Sequence, residues 1–326
     1  MIKWIARWFN RSPAALVPGA PDAALPGGAA DIAPHERHDD IDSLFYRWLA
    51  GAPGSDVAPS IENMIIDGFM RLVEAPQSGA DLVPRVPAVI PQLLRSLRDE
   101  SVSGAEFSRQ LAQDVVLVAE VIREANGPCY RPSTPVRTIE GAVMLLGQNG
   151  MRMLLARVAF RPIISTQSGH FARQAAPLVW RQSEACALAA SMLAPAMRAN
   201  PFEAYLAGLL HNVGLIVAFR LIDRIYTGGA LPGSAEFSAA LLSNARLLSS
   251  RIAVLWEFPA TVSVAIAQAG QPGAPPLARV LALADRLATL RMLVDAGQFA
   301  ADDPFVLEGL APAELACFAK LSNGEH

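Results

Sequence analysis

The sequence predicts an all-α protein, a compact multi-helix bundle with an N-terminal helical extension. Three observations carry that reading. Apolar residues recur at helical spacing along most of the chain, as in Val86, Val89, Ile90, Leu93, Leu94 and Leu97, and no alternating run is long enough for a sheet. Helix starts and stops punctuate the pattern, such as Ser103 with Glu106 three positions on, and the stop Asn126-Gly127-Pro128. Of the 326 residues 52% are hydrophobic but only 7% aromatic, the balance of an Ala/Leu-rich helical protein.

The elements follow in order. Residues 1–34 hold a basic amphipathic start (Ile2, Ile5, Trp8 and Phe9 among Lys3, Arg7 and Arg11) and an Ala/Pro/Gly-rich linker. The start reads as a frayed terminus or a helix docking on its own domain, with weak membrane-surface contact through residues 1–11 as the alternative. It is too short and too charged for a secretory signal. His35 and His38 with Glu36, Asp39 and Asp40 have the composition of a metal cluster, but beside a linker they read as solvated charge. Residues 35–80 form a helical extension with amphipathic helices over 41–50 and 61–74. Phe45, Trp48 and Phe69 lie on them without an evident core, so they are expected to meet a partner or to pack on the main body. The main body, 81–294, is predicted helical over 86–97, 104–113, 115–125, 139–146, 151–160, 180–197, 202–225, 236–256, 260–269 and 277–294. Residues 295–326 contribute a last helix, 313–321, that packs back on the domain.

Charge and chemistry exclude several classes. A net charge of −3 leaves no basic excess for a nucleic-acid footprint, so no nucleic-acid partner is expected. Cys129, Cys186 and Cys317 are odd in number, far apart and without a CxxC, which suits core residues in a reducing cytoplasm. Charged or amide residues interrupt the apolar stretches before the roughly 20 residues of a membrane span. Gly147-Gln148-Asn149-Gly150 has no preceding strand and no following Lys-Ser/Thr, and reads as a tight helix–helix turn rather than a phosphate loop. No GxSxG occurs. His170 falls in a polar connector, and Met144, Met151 and Met153 suit gap filling in a core. Arg131, Arg137, Arg152, Arg157 and Arg161 read as a solvated face, with a phosphate-facing patch as the alternative.

The ordered set of local motifs over about 82–293 resembles the HDOD family, relatives of the HD-type metal-dependent phosphohydrolases. The motifs are Val83-Pro84-Arg85-Val86-Pro87, Asp114 with Asn126, Ile139-Glu140-Gly141-Ala142-Val143 with Leu145-Leu146-Gly147, and Arg152. Trp180-Arg181, the run from Ala204 to Gly214, Trp256-Glu257-Phe258-Pro259 and Ala284-Asp285-Arg286-Leu287-Ala288 complete the set. The resemblance implies a first metal-ligand His at Gln182, a His-Asp pair at His211 and Asn212, a later His pair at Ala269 and Gly270, and a terminal Asp at Asp285. Only His211 and Asp285 keep competent donors, where a hydrolytic site needs about three plus an open position. His211 is then expected as a core histidine bonded to a neighbour such as Asp285.

The implied function is a non-catalytic regulatory module with no cofactor, binding a signalling protein such as a cyclic-di-GMP enzyme or a sensor kinase. Two alternatives stand beside it. One is a metal-dependent phosphohydrolase built on His211, Asp285 and another ligand. The other is a nucleotide or small-ligand sensor using the pocket of Gln182, His211, Asn212 and Asp285.

Overall fold

The computed structural model describes residues 41–51, 57–79, 81–84, 115–127, 132–165 and 169–321. Among them all regular structure is helical. The helices are α1 (Ile41–Ala50), α2 (Pro59–Glu74), α3 (Val115–Ala125), α4 (Ile139–Ser165), α5 (His170–Leu193) and α6 (Pro201–Leu210). They continue with α7 (Val213–Ile225), α8 (Ala235–Leu255), α9 (Ala260–Gln268), α10 (Pro276–Asp295), α11 (Pro304–Leu307) and α12 (Pro312–Leu321). The sequence-predicted helices 86–97 and 104–113, the His35–Asp40 cluster, Cys129 and Arg131 lie outside the described residues.

Local chemistry sets several of these boundaries. The Asn200 side chain accepts from the backbone N–H groups of Phe202 and Glu203 ahead of Pro201 at the first turn, so α6 starts there. Ser234 caps α8 in the same way through Phe237 N–H, and it is itself held by Glu62 of α2, which accepts from Ser234 N and Oγ. The Asp223 carboxylate accepts from the N–H groups of Phe171 and Ala172. That partnership starts α5 ten residues earlier than the expected 180, and α5 ends at Leu193 rather than 197. Its internal Pro177 is accommodated in the helix. In α4, Gly147 (φ 66, ψ 177) breaks the helix at the predicted turn, although helical backbone resumes at once on both sides. At the end of α8, Phe258 N–H bonds Ala253 O and Glu257 N–H bonds Val254 O. This is a Schellman stop, with Glu257 in the left-handed conformation (φ 59) that usually falls to glycine.

α5 lies at the centre, packed most extensively on α6 and α10, while α7, α8 and α9 form the neighbouring layer. The extension is integrated with this body: α1 packs on α8 and α10, and α2 on α7 and α8. The core is accordingly continuous from Phe45 to Leu321. The stretch Pro201–Ile225 has the length and hydropathy of a membrane span, contrary to the sequence reading, but 89% of its most apolar window is buried inside the helical packing. Interior Ala, Val and Leu of a core helix pass the same test.

Candidate functional site

Two close helix contacts build the site. A Cβ on Gly208 of α6 would lie 2.6 Å from the Ala187 Cα of α5, so α6 rides directly on the α5 backbone. A Cβ on Gly214 of α7 would lie 2.1 Å from Ala245 O of α8, and the Gly214 N–H donates to Ser249 Oγ at 2.8 Å. Between these two anchors the chain changes direction at His211 and Asn212, the latter at φ −101, ψ 6. The sequence reading of one helix over 202–225 is therefore corrected to two. The turn aims both side chains inward instead of into a helical groove.

The polar groups at this turn close on each other. His211 Nδ1–H donates to Gly208 O at 2.6 Å, while Nε2 faces Asp285 Oδ1 of α10 at 3.2 Å. Gln182 of α5 donates through Nε2 to the same Oδ1 at 2.6 Å and to Thr289 Oγ1 at 3.1 Å. Its Oε1 accepts from Asn212 Nδ2 at 2.7 Å. On the other side of the carboxylate, Arg246 Nη2 of α8 lies 3.3 Å from Asp285 Oδ2 and 3.4 Å from Asp42 Oδ2 of α1. The His211 side chain is 3% exposed and that of Asp285 15%.

Both partners of the His211 ring accept, because a carbonyl and an ionised carboxylate carry no proton to give. Both nitrogens must then donate, and the ring is an imidazolium. Burial opposes that charge. The Asp285 carboxylate, by its charge and its hydrogen bond, and a hydrogen bond with Cys186 pull the other way and hold His211 above its ordinary value. Burial also pushes the Cys186 thiol up, so at neutral pH the compensating anion is Asp285. Burial likewise works against the Asp285 charge, but His211, Arg246 and the Gln182 hydrogen bond bring its carboxyl down to about 2. The result is an ion pair extended into a network.

Cys186 was missed by sequence reasoning. Its sulfur, an His211 ring nitrogen and an Asp285 oxygen all lie within 4.8 Å of one another. The signal was its place four residues after Gln182, on the same face of α5. The donor set at the expected ligand positions does not fit a hydrolytic divalent ion. Two of its members are neutral amides already bonded inward, and the one carboxylate is shared among an imidazolium, an amide and a guanidinium. Ala269 ends α9 and Gly270 follows with φ 80. Neither lines the cleft above the network. The cleft is small, about 20 Å³, and is covered by Asp42 and Phe45 of α1. That is room for one or two water molecules.

Other expected residues land elsewhere. Phe45 and Phe69 are buried in the core at 5% and 0% exposure, and half-buried Trp48 stacks on Phe45 at 6.1 Å. Intrachain packing thus occupies the side chains expected to meet a partner. The supposed arginine face is also corrected in part. Arg152 is buried, and Arg157 pairs with Glu124 at 2.9 Å and with Glu184, linking α3, α4 and α5. Arg161 also pairs with Glu124, while Arg137 is exposed. His170 is exposed, but it opens α5 rather than lying in a connector.

Residues 83–272 match the HDOD domain. The matched region ends before α10, so Asp285 is contributed from beyond it. An uncharacterized protein of Treponema pallidum (strain Nichols) is 27% identical over 139 residues, 42% of this chain and 26% of that protein. The aligned part therefore spans about a quarter of the length of that curated relative. Among solved structures, an HDOD domain protein with unknown function from Geobacter sulfurreducens superposes with a TM-score of 0.56 at 24% identity. The match covers 78% of this chain and 94% of that one. A candidate metal-dependent phosphohydrolase from Shewanella amazonensis SB2B gives 0.54 at 17% identity, covering 81% and 98%. At these identities the two structures establish a shared fold.

Proposed function

The chain belongs to the HDOD domain family, and from that premise we propose that it is a non-catalytic regulatory module of bacterial signal transduction. It acts by binding a signalling protein partner and not by hydrolysing a phosphoester. The observation that supports this reading is the closure of the Gln182–Asn212–His211–Asp285–Arg246 network upon itself. A hydrolytic centre presents anionic donors and an open coordination position to water. Here the donors are spent on one another, and the hydrogen bonds would have to break before an ion could enter. A cleft of about 20 Å³ gives little support to a nucleotide sensor, since small-molecule sites measure several hundred Å³.

Two measurements on the purified full chain test the reading. Phosphodiesterase activity toward bis(p-nitrophenyl) phosphate and cyclic dinucleotides, with Mn²⁺, Fe²⁺ or Zn²⁺ added, should not exceed that of the His211→Ala variant. A tagged chain expressed in its native host should co-purify one protein at near-stoichiometric amount. The comparison is with a chain lacking residues 1–40 only, because α1 and α2 belong to the core. Metal-dependent turnover abolished by His211→Ala would replace this reading with the phosphohydrolase.

A further inference from the structure

We propose that Arg246 is the resident cation of this pocket, its guanidinium standing where a hydrolase of this fold would place a divalent ion and fastening α1 over the site through Asp42. The inference rests on the regulatory reading above and adds to it how the site is closed. The sequence resemblance assigns no role to Arg246; its position in the fold does.

Arg246 lies on α8, which packs against α1 as α10 does. A single nitrogen, Nη2, reaches Asp285 Oδ2 at 3.3 Å and Asp42 Oδ2 at 3.4 Å. The inner carboxylate is nearly closed to solvent at 15% exposure, and the outer one is open at 53%. Arg246 therefore spans from the buried network to the surface, with its own side chain 31% exposed. Arg246 thus sets a permanent positive charge 3.3 Å from Asp285 Oδ2. A divalent ion on the same carboxylate would face that guanidinium at short range in a poorly solvated site, which is strongly unfavourable.

Removing the guanidinium reverses the balance. Asp285 would then lack one of its two cations, and the Cys186, His211 and Asp285 ligand atoms within 4.8 Å make a donor set of the kind that suits Zn²⁺. The two cations thus compete for one place, and the gain of metal binding on losing Arg246 is the signature of that competition.

The test uses the full chain as wild type, Arg246→Ala, Arg246→Lys and Asp42→Asn, with Zn²⁺ as the probe. Wild type should carry no stoichiometric metal, and neither EDTA nor equimolar Zn²⁺ should move its melting midpoint. Arg246→Ala should melt lower by roughly 5–10 °C and regain part of the loss with Zn²⁺. With Co²⁺ it should show a thiolate charge-transfer band in the near ultraviolet that disappears when Cys186→Ser is added. Arg246→Lys, which keeps the charge, should retain most of the wild-type midpoint. Asp42→Asn should speed amide exchange over residues 41–50 while leaving α6 and α7 protected. A wild-type chain holding one equivalent of Zn²⁺ or Mn²⁺ overturns the proposal, as does an Arg246→Ala variant indifferent to both mutation and metal. If Arg246→Ala does not fold, Arg246→Lys decides: near-wild-type melting supports a cation's role, and equal loss of folding refutes it. An inactive, metal-free wild type with an indifferent Arg246→Ala sinks this inference alone, whereas metal-dependent turnover by wild type sinks the functional reading as well.

Discussion

Replacing Asp285 by Asn isolates the charge at the centre of the network while keeping its shape. The amide can still accept from Gln182 through its oxygen, but its NH₂ then faces Arg246, donor against donor. His211 loses the anion that kept it protonated, and Arg246 keeps only Asp42. Two estimates bracket the cost. The Asp285 carboxyl falls from 3.8 to about 2 in the folded chain, which at 1.36 kcal/mol per pK unit is about 2 kcal/mol. Breaking a buried pair typically costs about 3–5 kcal/mol, an upper bound here because the Arg246 side chain is 31% exposed. A loss of about 2–4 kcal/mol follows. Urea unfolding should read it as a lower midpoint with an unchanged m-value.

The same pair fixes the pH dependence. The depressed Asp285 pKa contributes stability above the unfolded carboxylate value, near 3.8, and that contribution is lost as pH falls through about 2. The raised His211 pKa contributes fully below its unfolded value of 6.5, and the contribution is lost as pH rises through the higher folded value. The pair is therefore most stabilising between about pH 4 and 6.5, and Asp285→Asn should flatten the decline on the alkaline side. A double-mutant cycle with His211→Gln should return a coupling of about 1–2 kcal/mol. Asp285→Asn within about 0.5 kcal/mol of wild type, with the alkaline slope intact, would refute the reasoning.

Other expected outcomes rest on separate features. Gly208→Ala places a Cβ 2.6 Å from backbone on α5, so it should cost about 3 kcal/mol or more in urea unfolding. Glu257→Gly relieves a left-handed residue at φ 59 and should raise stability by about 0.5–1 kcal/mol, read from the denaturation midpoint. Arg157→Leu strands Glu184 and leaves Glu124 with Arg161 and Arg123 alone, uncoupling α3 from α5; it should lower stability by about 1–2 kcal/mol, with faster amide exchange in α3. Burial pushes the Cys186 thiol up and that of Cys317 to about 11. Mass-mapped alkylation should therefore modify both only at the rate of unfolding.

The fold class was legible because helical periodicity and stop signals act locally, and α1, α8, α9 and α10 begin and end within a residue or so of their predicted bounds. What failed was decided at a distance. The start of α5 depends on Asp223, some fifty residues on. Phe45 and Phe69 seemed to lack a core because that core lies on α7, α8 and α10. The run from Ala204 to Gly214 is apolar enough to continue as one helix, and no local residue there forbids it. The break comes from two glycine contacts pulling α6 toward α5 and α7 toward α8.

At the site, the amides at Gln182 and Asn212 were legible in the sequence, and the structure bonds them to each other and to Asp285. The cation facing that carboxylate was not legible. Arg246 belongs to no motif, and in sequence it is one of two arginines on a helix rich in Ala, Leu and Ser. Its meaning requires the fold to bring Asp42, from before the family-matched region, and Asp285, from after it, to the same guanidinium. A buried carboxylate whose metal is given up must acquire another cation or become neutral. Asp285, nearly closed to solvent beside the neutral amide of Gln182, meets that requirement through Arg246 at 3.3 Å.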